Sequence, residues 1–162
     1  MSVRRGEEET PSLGRGVFLL LAGFVVLLDQ LTKALAQIHL FRGSSLPVIP
    51  HFLHLTLIKN QGIAFGLFQG GDKLLLVIIT LSIATLILLG FRIPRLQWKT
   101  QWGIGLILGG ALGNWIDRIR FGAVVDFLDF RIWPVFNLAD TAITIGVSIF
   151  LIDILTAKRH VS

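Results

Sequence analysis

Residues 74–90 read LLLVIITLSIATLILLG, a run broken only by Thr80, Ser82 and Thr85. A helix needs ~20 apolar residues to cross the ~30 Å of bilayer hydrocarbon, and this run has about that length and no charge. The three hydroxyls can bond back to their own helix backbone, which makes them tolerable in lipid. Three further apolar segments lie around it, so that spans are expected at about 15–36, 73–91, 101–120 and 139–157. With 53% hydrophobic and 15% charged residues, the chain as a whole is too apolar for an ordinary water-soluble domain. The expected fold is an all-α membrane protein with four transmembrane helices and a small extracytoplasmic β-rich region.

Residues 1–14 carry Arg4, Arg5, Glu7 to Glu9 and Pro11 without apolar periodicity, and are expected to be a disordered cytoplasmic tail. Residues 15–162 are expected to form one integral membrane domain. The first apolar run, Val17 to Leu28, continues into Asp29-Gln30-Leu31-Thr32-Lys33 without a small-residue cleavage pattern, so it reads as a retained span rather than a signal peptide. Arg4, Arg5 and Arg15 precede span one, Arg92, Arg95 and Lys99 fill the link between spans two and three, and Lys158 and Arg159 follow span four. Against Arg42, Lys59, Arg118, Arg120 and Arg131 on the other side, this bias puts both termini in the cytoplasm.

The outer side then holds the two longer connections, about 37–72 and 121–138. In the first, Leu53, Leu55 and Leu57 alternate with His54, Thr56 and Ile58, which is strand periodicity, and Asn60-Gln61-Gly62 supplies a turn. Pro47 and Pro50 are expected to mark where the strand begins. In span three, Gly105, Gly109 and Gly113 recur at steps of four beside Gly110, a spacing that lets helices approach closely, within one chain or between two.

Several chemistries are closed. The chain has no Cys, so thiolate catalysis and Cys-ligated zinc are excluded. His51 and His54 lack a partnering Glu and would point to opposite faces of a strand, so no metal site is expected. There is no glycine-rich phosphate loop and no Gly-x-Ser-x-Gly elbow. The 15 Lys and Arg, net +5, are scattered between apolar segments rather than gathered in a stripe, which points to anionic lipid headgroups and away from nucleic acid.

Ionisable groups in or beside a span are costly, so each is a functional candidate. Asp29, Asp117, Asp126, Asp140 and Asp153 qualify, whereas Asp72 and Asp129 read as solvated. Asp153 lies close to Lys158 and Arg159 and can reach solvent or a cation. Asp29 and Lys33 are spaced to pair on one helix face, and Asp117 with Arg118 can form a salt bridge at the end of span three. Asp140 stands where an N-cap would stand. Asp126, between Val125 and Phe127, has no such explanation. Trp133-Pro134 allows the chain to turn and bring Asp126 and Asp140 to one boundary. Two carboxyls held close share a proton, so one can activate water while the other polarises a peptide carbonyl, with no metal or cofactor.

Five blocks together resemble the bacterial lipoprotein signal peptidases, also called signal peptidase II or prolipoprotein signal peptidase. They are Asp29-Gln30-Leu31-Thr32-Lys33, Asn60-Gln61-Gly62-Ile63-Ala64-Phe65-Gly66, Gly113-Asn114-Trp115-Ile116-Asp117-Arg118, Val124-Val125-Asp126-Phe127 and Phe136-Asn137-Leu138-Ala139-Asp140. The resemblance implies an aspartic endopeptidase of the bacterial inner membrane, with its site at the outer face, that cuts prolipoproteins before a diacylglyceryl-modified cysteine. It implies catalytic residues at Asp126 and Asp140, with Asn60, Gly62, Asn114, Arg118, Asn137, Asp29, Lys33 and Asp117 binding substrate or supporting the site. It also implies membrane lipids and lipid-modified prolipoproteins as partners, and a loop from Asn60 to Phe68 that closes over the substrate. Two alternatives are another intramembrane aspartic protease, which would carry a Gly-x-Gly-Asp block absent here, and a small proton-coupled carrier using Asp29 and Asp140.

Overall fold

The computed structural model of the chain describes residues 16–62, 72–92 and 98–157. The tail over 1–14, the Ile63 to Gly66 part of the second block, the rest of the expected closing loop through Phe68, Arg95, Lys158 and Arg159 lie outside the described residues. In chain order the elements are α1 (Val17–His39), β1 (Ser45–Ile49), β2 (Leu53–Asn60), α2 (Asp72–Arg92), α3 (Trp98–Phe121), β3 (Val124–Asp129) and α4 (Leu138–Ala157).

All four expected helices are present, and α1 and α3 run past the expected boundaries, α1 to His39 and α3 from Trp98. Among the described residues, α1 and α2 are long and apolar enough to cross a membrane. Large apolar side chains face outward on several helices, among them Leu20 at 77% exposure, Leu81 at 63% and Leu155 at 65%. Such faces are unfavourable in water and suited to lipid. On α2, Thr80, Ser82 and Thr85 each donate to the carbonyl four residues back, as expected, and Thr80 also accepts the indole N–H of Trp115.

α3 is the central helix, packed mainly on α4 and α1 and also against α2. Its glycines explain the close approach. A Cβ on Gly105 would meet the Phe18 carbonyl at 2.9 Å, and one on Gly109 would meet Val25 at 2.6 Å, both on α1. Gly110 faces the Ala139 carbonyl of α4, and Gly103 lies against the Gly146 carbonyl. The small-residue face is therefore used within the chain. Phe18, Ala22, Ile83, Ile104 and Leu108 form the buried cluster between α1, α2 and α3.

The three strands form one antiparallel sheet in the order β1, β2, β3. β2 lies where the alternation predicts. The sequence reads 121–138 as an outer connection, yet within it Val124–Asp129 pairs with β2 through Asn60 opposite Val124 and Ile58 opposite Asp126. Pro47 stands inside β1 rather than ahead of the sheet, which an edge strand permits because no N–H is owed on its open side. The end of α1 packs on the sheet through Ala36, Leu40, Leu57, Val125 and Phe127.

Candidate active site

The turn after β3 is made less by Pro134 than by a second pairing. Phe136 folds back on β3, exchanging backbone bonds with Leu128 at 2.8 and 3.0 Å and accepting from Phe127 at 3.0 Å. This sets Asn137 beside Asp126 just before α4 begins.

Asn137, not Asp140, is the N-cap of α4. Its Oδ1 accepts the backbone N–H of Asp140 at 2.9 Å, and the Asp140 carboxylate accepts the backbone N–H of Asn137 at 3.3 Å. That reciprocal pair is a capping box, with Asp140 three positions into the helix. The amide nitrogen of Asn137 also donates to Asp126 Oδ1 at 2.7 Å, so one side chain links the two carboxyl-bearing segments. From β2, Asn60 donates to the other oxygen of Asp126 at 2.9 Å. Gly62, at φ 75°, lets the chain turn so that its N–H holds Asn60 Oδ1 at 2.9 Å.

Asn114 of α3 joins this pair to a buried ionic cluster. An ammonium can only donate, so Asn114 presents Oδ1 to Lys33 at 2.9 Å and turns its amide nitrogen to Asp140 at 2.8 Å. Lys33 lies 2.8 Å from both Asp29 and Asp117, and all three are at most 1% exposed. The i, i+4 pairing of Asp29 with Lys33 is as expected. Asp117 pairs with Lys33 rather than with Arg118, whose guanidinium instead reaches the Asn114 carbonyl at 3.3 Å and borders the Gly62 turn.

Each of these carboxylates then has a second task. Asp29 accepts the N–H of Ala139 and Asp117 that of Val125, both at 3.0 Å. Those are the residues immediately before Asp140 and Asp126. Gln30, to which the sequence alone gives no role, donates to Asp117 at 3.0 Å and to the Gly113 carbonyl at 3.2 Å. Its position next to Asp29 was the available signal. Among the described residues no buried side-chain nitrogen or oxygen in this cluster lacks a partner.

Asp126 is 1% exposed and Asp140 is half-buried. Burial pushes the Asp126 carboxyl up to about 6, the Asn60 bond opposes that rise, and the neighbouring Asp140 charge adds to it. A buried carboxyl that keeps its proton toward neutral pH beside a second carboxyl suits acid–base chemistry. Asp129, expected to be solvated, is instead buried on β3. Its carboxyl sits below the usual value, because bonds from Thr56 and Arg131 outweigh the cost of burial. Asp153 accepts the Thr100 hydroxyl, and the structure gives it no part in the cluster.

The family model described as signal peptidase (SPase) II matches residues 21–156. The lipoprotein signal peptidase of Pelotomaculum thermopropionicum is 51% identical over 131 residues, which is 80% of this chain and 85% of the relative. That of Moorella thermoacetica is 50% identical over 133 residues, 82% and 88% of the two chains. That of Syntrophus aciditrophicus is 43% identical over 157 residues, 90% and 96% of the two. A solved structure described as a bacterial membrane enzyme superposes with a TM-score of 0.81 at 38% identity, covering 86% of this chain and 93% of the other. The matched stretch contains every residue of the network above, and the chain belongs to the signal peptidase II family of peptidases.

Proposed function

We propose that the chain is an aspartic endopeptidase of the bacterial inner membrane that removes signal peptides from prolipoproteins, cutting before the diacylglyceryl-modified cysteine. The observation that carries this reading is Asn137, whose one side chain bonds Asp126 and caps the helix turn that bears Asp140. The two carboxyls form the catalytic pair, one protonated and one ionised at the start of the reaction. The ionised member takes a proton from water as the water oxygen attacks the scissile carbonyl carbon. The protonated member donates to the carbonyl oxygen. Collapse of the tetrahedral intermediate breaks the C–N bond: the proton taken from water passes to the leaving nitrogen, and a hydroxyl of the intermediate returns its proton to the other carboxyl, which restores the pair. Asn60, Asn114 and Asn137 hold the pair, Asp29, Lys33 and Asp117 brace it, and Arg118 with Gly62 borders the path of the substrate.

All four helices span the bilayer, with both ends of the chain in the cytoplasm and the sheet and carboxyl pair at the outer face. The basic residues flanking Val17 and between α2 and α3 support that orientation. A site at that depth takes a lipid-anchored substrate sideways from the bilayer, through the apolar helix faces.

The test is cleavage of a lipid-modified prolipoprotein by the purified protein, by Asp126→Asn and by Asp140→Asn, with an unlipidated substrate alongside. Both variants should lose turnover and the unlipidated substrate should resist. Normal turnover by either variant would sink the catalytic pair. A reporter joined after Ser162 and found outside the cytoplasm would overturn the orientation.

A further inference from the structure

The sheet has a second face. Side chains alternate along a strand, so Asn60 and Asp126, bonded to each other, lie on one face, while Leu57, Lys59 and Val125 lie on the opposite one. On that opposite face a pocket of about 330 Å³ opens between the sheet and the end of α1, lined by Gln37, Leu40, Phe41, Arg42, Lys59 and Val125, with Leu57 in its wall. Leu40, Phe41, Leu57 and Val125 make most of its wall apolar, Gln37 adds an amide, and Arg42 and Lys59 add two cations. Among the described residues neither Arg42 nor Lys59 forms a salt bridge, and Lys59 rests 5.6 Å from the Phe121 ring centre.

A second observation points to the occupant. Leu20, Phe24, Leu27, Leu31, Leu35 and Ile38 recur at three- and four-residue steps and are all exposed, from 46% to 77%. That spacing is one continuous stripe along α1. It ends at Ile38, one residue before the helix ends at His39, and Phe41, three residues further on, is 85% exposed and lines the pocket. An apolar track several turns long, followed in the chain by a pocket with two cations, matches an acyl chain joined to an anionic headgroup.

We propose that this pocket binds one anionic glycerophospholipid of the bilayer, its phosphate between Arg42 and Lys59 and an acyl chain along the α1 stripe. The inference rests on the membrane placement proposed above but not on the carboxyl pair, from which the sheet separates it.

The full chain, purified in micelles holding equal phosphatidylglycerol and phosphatidylcholine, is to be weighed intact by native mass spectrometry and its retained lipids counted. Phosphatidylglycerol should be enriched, and Arg42→Gln with Lys59→Gln should cut that enrichment by about fivefold or more. A second double variant, Lys99→Gln with Arg131→Gln, removes as much charge elsewhere and should keep it. Prolipoprotein cleavage by the pocket variant in neutral micelles reports that it is folded, and is read separately from lipid retention. Equal retention of the two lipids by the unaltered chain, undiminished enrichment in the pocket variant, or equal losses in both double variants would each overturn the proposal.

Discussion

Asp117 accepts the backbone N–H of Val125 at 3.0 Å, and Val125 is the residue immediately before Asp126. Asp29 holds Ala139, the residue before Asp140, in the same way and at the same distance. Lys33 stands between the two carboxylates at 2.8 Å from each. One buried cation thus ties together the backbones that carry both proposed catalytic carboxyls. Lys33→Met should leave two buried carboxylates facing each other, at a cost of about 3 to 5 kcal/mol in stability. Adding Asp29→Asn should recover part of that loss. Thermal unfolding in detergent measures both, and an unaltered midpoint for Lys33→Met would refute the brace.

Asn137 has two separable roles, capping α4 and bonding Asp126. Ser is also a good N-cap but is too short to keep the 2.7 Å bond to Asp126. Asn137→Ser is therefore expected to keep most of the stability while losing about 100-fold in kcat through misplacement of the pair. Asn137→Ala should lose the same activity and a further ~1 kcal/mol of stability. Equal turnover by Asn137→Ser and the unaltered chain would remove Asn137 from the site.

The carboxyl of Asp126 lies at about 6, so the singly protonated pair is lost as the pH rises past that value. kcat/KM should fall on the alkaline side with a midpoint near there. The Asn60 bond holds the value down, so Asn60→Ala should move the alkaline limb to higher pH, read on whatever activity remains. A limb that stays in place, or moves to lower pH, contradicts the assignment.

Folding stability carries the same group with a definite sign. Its folded value is above the ordinary 3.8, so the native state binds this proton more tightly than the unfolded chain does. The resulting stabilisation is complete below 3.8 and is lost as the pH climbs through about 6. Between about pH 4 and about pH 7, the unfolding midpoint of the unaltered chain should drop further than that of Asp126→Asn. Parallel profiles would show that Asp126 is not the group concerned.

Gly113 and Gly23 offer a matched contrast. A Cβ on Gly113 would stand 2.5 Å from Asp29 Oδ2, whereas one on Gly23 meets nothing within 4 Å. Gly113→Ala should displace Asp29 from Lys33 and Ala139, destabilising the fold by about 1 to 3 kcal/mol and lowering kcat. Gly23→Ala should be neutral or slightly stabilising, since Ala is the better helix former. Circular dichroism melts and cleavage rates of the two variants decide it.

Residue types and their spacing along the chain determined the helices, the β2 strand and the suspicion attached to Asp126. Four apolar runs of spanning length, an alternating leucine pattern and an ionisable group among Val and Phe are local signals, and local physics is sufficient to read them. The sequence also placed Asp29 and Lys33 on one helix face, because that contact is only one turn away. Tertiary structure decided what no local rule contains. Val124–Asp129 reads as loop until β2 supplies the partner for its backbone groups, and Asp140 reads as an N-cap until the Phe136 pairing puts Asn137 in that position. Asp117 reads as a mate for Arg118 until α1 brings Lys33 against it from 84 residues earlier in the chain. In each case a polar group had several partners within reach of its own segment, and burial between elements distant in sequence selected one.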